Sequence, residues 1–213
     1  MDQELDIVNA ILRANGEAVT LTLTTLHPSV VQAKDTLASN NLDFQSRGWW
    51  FNRERNLKLL RDTAGNIILP AETMQFQQTQ NSLNIKNGVH KEKYVDRGKK
   101  VYDNLNHTYV LTEDIYADLI LLRPVNELPA VAASYLKHLC RESVVIDDDG
   151  DTVKVDRIKE QKAEAWHRLY SYELKTTAQN ALDSPAAQQL RYRIGQMNTP
   201  SNAYVPGGRN FEF

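Results

Sequence analysis

The spacing of hydrophobic positions changes twice along the chain. Leu5, Val8, Ile11 and Leu12 recur at helical spacing, and Gly16 stands where a left-handed C-terminal cap would fall. A second helix is predicted from Pro28, because proline is well tolerated at the first helical position. Its apolar face holds Val30, Ala33, Leu37 and Phe44, and it ends by Gly48. From Trp49 to about Arg123 the period shortens to two. Leu57 and Leu59 alternate with polar neighbours, Asp62-Thr63-Ala64-Gly65-Asn66 supplies a turn, and Ile67-Ile68-Leu69 stops at Pro70, which predicts a hairpin. A second hairpin is predicted across Tyr94 to Tyr102 with Gly98 at its turn, and Leu119 to Leu122 reads as a buried strand. The polar, Gln- and Asn-rich stretch from Thr73 to Lys93 reads as loop or weak strand.

Helical spacing then returns. Val131, Ala132, Tyr135, Leu136, Leu139, Cys140 and Val144 form one stripe after Pro129. Asp147 to Asp151 breaks the chain, and a last long helix is predicted from about Thr152 to Thr177, with Val155, Ile158, Ala165, Leu169 and Tyr172 inward. Its other face alternates in sign, and Glu164 with Arg168 makes a well-oriented i, i+4 pair. Beyond Pro185 a short helix near Gln188–Ile194 is followed by an extended, Pro- and Gly-containing arm. Because a helix cannot bury an apolar stripe alone, the flanking helices are expected to pack on one another. The predicted class is α+β: a helical part from 1–48 and 124–182, a β-rich insertion from 49–123, and a C-terminal arm from 183–213.

Composition narrows the function. The 213 residues carry a formal net charge of −2, so tight sequence-independent binding to phosphates is not the default expectation. Helices of mixed charge likewise argue against a DNA-binding regulator. The single cysteine, Cys140, allows no internal disulfide, and its place on an apolar stripe reads as a buried structural thiol. The acidic start lacks a signal-peptide pattern, and no apolar run approaches the roughly 20 residues a membrane span needs. Synthesis in a cytoplasm is expected.

Candidate chemistry is sparse. Aligning Asp147–Asp151 on a calcium loop with Gly150 at its glycine position places Val145 where the first ligand belongs, so the segment reads as a solvated turn. The histidines His27, His90, His107, His138 and His167 form no zinc-binding spacing. No phosphate loop or nucleophile elbow is present. Glu54, Glu72, Glu113 and Asp114 could be proposed as a carboxylate pair for glycoside hydrolysis, but among 27 acidic residues such a choice carries little information. The stretch Lys86 to Lys100 concentrates cations, with Lys99 and Lys100 at its end; it reads as a charged hairpin tip that guards an edge strand or meets an acidic partner, ahead of a nucleic-acid contact. Trp49-Trp50-Phe51 is expected to staple the insertion to the helices.

Several ordered segments carry a resemblance. They are Val8-Asn9-Ala10-Ile11-Leu12 with Gly16-Glu17, Gln45-Ser46-Arg47-Gly48-Trp49 with Phe51-Asn52, and Arg97-Gly98 with Val101-Tyr102-Asp103. Leu122-Arg123 with Glu127-Leu128-Pro129, and the helix around Glu164 and Tyr172-Glu173, complete the series. In this order, over roughly residues 5 to 182, the chain resembles the tail tubular protein A family of short-tailed bacteriophages (podoviruses). The Gln-Ser-Arg-Gly-Trp segment is its most specific piece. The resemblance implies a head-to-tail connector in the virion: an adaptor ring, commonly of twelve copies, between the head portal and the tail nozzle (tail tubular protein B), with DNA passing through the lumen during ejection. It implies no catalytic residue, no cofactor and no metal. Tyr204, Phe211 and Phe213 on the arm, with Lys99 and Lys100, are the expected partner contacts. The arm itself is expected to be mobile when free and to order on the portal. The alternative class is a tail component that also hydrolyses envelope or capsular polysaccharide.

Overall fold

The computed structural model describes residues 2–79, 85–86, 89–90, 93–148 and 152–177. The chain divides into two units, residues 1–173 and 174–213, and the elements below belong to the first except for the last turn of the final helix. The class is α+β, as the change of period predicts. The short helix near Gln188–Ile194 and the arm lie outside the described residues, as do Tyr204, Phe211 and Phe213.

Helix α1 spans Gln3–Ala14. Asp2 caps its start, accepting from the Leu5 amide at 3.3 Å. At its end Gly16 (φ +75°) turns left-handed, so that Glu17 N donates to Leu12 O and Gly16 N to Arg13 O. That pair of bonds is a Schellman cap and satisfies carbonyls the helix leaves open. Helix α2 spans Pro28–Ser46. Helix α3, Ala130–Asp148, starts just after Pro129, and helix α4 spans Thr152–Thr177. Ile7, Val8, Ile11, Val30, Leu37, Phe44, Leu136, Cys140 and Leu169 form one buried cluster, so the helical core draws on residues from both sides of the β-rich stretch. Tyr172, expected inward, is 48% exposed; it lies at the rim, its ring 5.1 Å from that of Trp50.

Between α2 and α3 lie seven short strands among the described residues: β1 (Arg53–Leu59), β2 (Thr73–Gln78), β3 (Ile85–Lys86), β4 (Val89–His90), β5 (Tyr94–Asp96), β6 (Val101–Asp103) and β7 (Ile115–Leu121). An antiparallel sheet has the order β1-β7-β2, with β7 central. The hairpin predicted around Gly98 is β5–β6, with Val95 opposite Tyr102 and Gly98 at φ +65°. The other predicted hairpin does not close. Its turn is present, with Asp62 N donating to Asn66 O at 2.8 Å, but β1 pairs with β7. Ile67 to Leu69 instead joins the β5–β6 hairpin, Val101 N donating to Ile67 O and Leu69 N to Lys99 O. Alternation marks a strand but not its partner. The polar run at Thr73 is a true strand whose backbone the apolar β7 completes; the buried strand expected from Leu119 begins at Ile115. Leu59, Ile67, Leu69, Tyr94, Val101, Ile115 and Leu119 make the core of this part.

Two glycines with positive φ differ in surroundings. A Cβ on Gly98 would meet nothing within 4 Å, whereas one on Gly48 (φ +70°) would stand 2.5 Å from Ile120 Cδ1. Gly98→Ala is expected to cost only the left-handed backbone penalty, about 1–2 kcal/mol. Gly48→Ala adds displacement of Ile120 and should cost about 2–4 kcal/mol in all, read from urea unfolding midpoints.

Candidate functional site

The segment Gln45 to Asn52, the most specific part of the resemblance, is a buried joint. Gln45 and Asn52 are both fully buried, so every polar atom they carry needs a partner. Gln45 Nε2 donates to Asn41 Oδ1 and to Arg123 O, each at 2.8 Å, and its Oε1 accepts from Arg123 N at 2.9 Å. One side chain thus holds the backbone by which the chain leaves β7. Asn52 Nδ2 donates to Gln45 O at 2.9 Å, its Oδ1 accepts from Trp49 N at 2.7 Å, and its own carbonyl accepts from Leu121 N at 2.9 Å. Gly48 makes the turn between them, with its amide on Gln45 O. Arg53 Nη2 donates to Gly48 O.

Aromatic rings surround the joint. Trp49 is buried and its Nε1 donates to Phe44 O at 2.8 Å. Its ring lies 5.2 Å from Phe44 and 5.5 Å, edge-on, from Trp166, while Tyr135 lies 5.4 Å from Phe44 and 5.2 Å from Trp166. Arg47 stacks over Trp166 at 5.4 Å. One aromatic cluster therefore joins α2, the start of the insertion, α3 and α4, the stapling expected of Trp49-Trp50-Phe51.

The cations of the hairpin are engaged close to home. Arg97 lies over the Tyr102 ring at 3.7 Å and Lys100 over Tyr109 at 5.0 Å. Lys99 Nζ donates to Thr73 O, and its amide donates to Asp96 Oδ1 at 2.8 Å. Lys99 and Lys100 are consequently half-buried. The side chains of Lys86 and Lys91 lie outside the described residues.

The four carboxylates that could serve hydrolysis are placed as follows. Glu54 pairs with Arg123 at 3.0 Å, Glu113 with Lys93 at 3.2 Å, and Asp114 with Lys58 at 3.3 Å and Arg61 at 3.4 Å. Glu72 is exposed. Hydrogen bonds from Lys93 and Tyr94 hold the Glu113 carboxyl below the usual range, and the Arg61 amide with the Lys58 and Arg61 side chains does the same for Asp114. A glycosidase general acid needs the opposite displacement. Cys140 is buried on the α3 stripe, and burial pushes its thiol up to about 12, which leaves it no thiolate at neutral pH. Among the described residues no group of three or more His, Cys, Asp and Glu side chains could hold a metal. No described helix is long and apolar enough to cross a membrane.

Two arrangements escape the sequence. Gln45, Asn52 and Arg123 stand in the matched segments, but nothing in their spacing shows that they meet. The second is a basic concavity where Arg13, Lys137 and Arg141 converge; Lys137 and Arg141 are four apart on α3, yet the arrival of Arg13 from α1 has no local signal.

Replacing Gln45 by leucine strands the Arg123 amide and part of Asn52, and should destabilise the fold by about 2–4 kcal/mol. A Gln45→Leu, Asn52→Leu double-mutant cycle in urea should return a coupling energy of about 1–2 kcal/mol; additive losses would show that the two amides act separately. A pH series offers a further check. Asp103 is 3% exposed and its carboxyl lies below the usual range: burial opposes ionisation, but hydrogen bonds from Asn106 and Leu105 outweigh it. A depressed folded value means stability that is present above the unfolded value and lost as pH falls through the folded one. Between pH 5 and 2.5 the unfolding midpoint of Asp103→Asn should therefore fall less steeply than that of the parent, by roughly the share of one carboxylate.

No match to a curated protein is found. A model of the family described as "Tube: Tail tubular protein" matches residues 5–179, which takes in the helices, the insertion and the Gln45–Asn52 joint. With most of its length matched, the chain belongs to the tail tubular protein family and is a structural component of a bacteriophage tail.

Proposed function

We propose that the chain is the adaptor subunit of a short-tailed phage, assembling as a ring of twelve between the head portal and the tail nozzle and letting DNA pass through the lumen. The observation that carries this reading is the match to the tail tubular family over residues 5–179, in the segment order that also resembles its adaptor branch. Charge supports it. A wall beside sliding DNA must not grip phosphates, since each Lys or Arg contact that releases a counterion adds affinity. Here the net charge is −2, and Arg97, Lys99 and Lys100 are turned onto the protein's own rings and carbonyls.

In this proposal the arm after Pro185 docks on the portal through Tyr204, Phe211 and Phe213, and the hairpin that carries Lys99 and Lys100 is a further partner contact. Aromatic anchors suit a segment that orders on its partner. Imaging tails from phage complemented with the full chain should reveal a layer with twelvefold rotational symmetry between portal and nozzle. Complementation with a chain truncated after Pro185 should give protein with an almost unchanged thermal transition but no tails attached to DNA-filled heads. A layer without rotational symmetry overturns the ring, and infectious particles at normal yield from the truncated chain overturn the role of the arm.

A further inference from the structure

A concavity of about 360 Å³ opens where α1, α3 and α4 meet, lined by Asp6, Arg13, Lys137, His138, Arg141 and Gln161. Ala10 and Ala14 also line it, and their short side chains leave the space open. Its charge is unbalanced. Arg13, Lys137 and Arg141 contribute three positive charges, and the one carboxylate, Asp6, lies 3.7 Å from Lys137. Burial, and then the neighbouring Arg141 and Lys137, hold the His138 imidazole below its usual range, against a smaller opposing pull from Glu164. Burial, and then the nearby Arg157 and Arg13, also lower Arg141.

The guanidinium of Arg141 is fixed in place. Its Nη1 donates to Gln161 Oε1 at 3.0 Å and meets His138 Nδ1 at 3.3 Å. Among the described residues its Nε and Nη2 have no partner, and no carboxylate lies within 4.0 Å. That free edge is the fork that takes a carboxylate in two parallel hydrogen bonds. A carboxylate ends its side chain and presents both oxygens to such a fork, whereas a phosphodiester is flanked by a sugar on each side.

A complementary surface exists elsewhere on the same molecule. On α2, Val31, Asp35, Ala38, Ser39, Leu42 and Asp43 form one exposed stripe at helical spacing. Val31 is 40% and Leu42 49% exposed, and neither Asp35 nor Asp43 has an ion-pair partner among the described residues. Helix α2 contributes nothing to the lining of the cavity, so pocket and stripe are different patches, as a head-to-tail contact between identical subunits requires.

We propose that the Arg13–Lys137–Arg141 pocket receives an aspartate carboxylate from the α2 stripe of a second copy of this chain, and that this contact closes the ring. The inference rests on the ring reading above, which it deepens by naming both faces of the contact. The partner carboxylate supplies the missing counter-charge, and Val31 and Leu42 are covered beside it.

Charge reversal tests it in the full chain, by complementing phage that lack the subunit. Arg141→Glu, and separately the Asp35→Lys, Asp43→Lys pair, should each lower infectious yield by about tenfold or more, through like charges facing across the contact. The combined triple variant should recover most of the yield. Far-UV circular dichroism and the thermal transition identify variants that have merely failed to fold, and Arg141→Gln serves as the milder variant should Arg141→Glu do so. Normal yield from folded Arg141→Glu, or no recovery in a folded triple variant, overturns the contact. Subunit copy number in purified parent tails separates the two readings: a ring with the expected copies and no rescue sinks only this contact, whereas a single copy per tail sinks the ring itself.

Discussion

Two buried primary amides meeting at one point fix how the halves of this protein join. Gln45 ends a helix and Asn52 begins the β-rich region, and with both fully buried neither can fall back on water. Each donor and acceptor must therefore be met in one geometry only, which is why the turn between them needs Gly48 and why the exit strand passes at Arg123. A hydrophobic contact could hold these pieces together but would tolerate sliding. Hydrogen bonds from side-chain amides to named backbone groups do not, because a shift of one residue leaves several buried groups unpaired. The aromatic cluster of Phe44, Trp49, Tyr135 and Trp166 then supplies the apolar burial around a position already fixed.

The helices were largely legible in the sequence because their signals are local. Pro28 and Gly16 punctuate them, and Val30, Ala33, Leu37 and Phe44 repeat at their period. The strands were less so. Alternation identified Leu57 and Leu59 as extended, but β1 finds its partner at Ile115 to Ile120, past the whole of the intervening hairpin. The Asp62 turn suggested a near partner because a turn shows where the chain bends and not what it meets. The polar strand at Thr73 was hidden for a related reason: in the strand order β1-β7-β2 it is an edge strand, with water for many of its side chains. The joint and the basic pocket were invisible as sites, since each is made by residues from separate elements.

The distribution of charge separates two kinds of surface. In the β-rich region cations are spent on the molecule itself: Lys93 on Glu113, Arg97 on Tyr102, Lys100 on Tyr109. In the helical region Lys162 and Glu142 satisfy one another, but Arg13 and Arg141 remain without a carboxylate among the described residues. Such an imbalance is costly in a lone subunit, and a partner carboxylate would relieve it. Structural proteins of an assembly have this licence, because their working state is not the monomer.

The position of Arg123 beside Gln45 has a consequence for how such a chain can be varied. The β-rich region enters and leaves through one doorway, its two ends held within hydrogen-bonding distance of a single side chain. A segment whose ends already touch can be lengthened, shortened or exchanged without redrawing the helices that carry it, since the span to be bridged stays the same. The helical frame and the β-rich module are thereby free to diverge at different rates, since a change of length in one leaves the fixed ends of the other where they are.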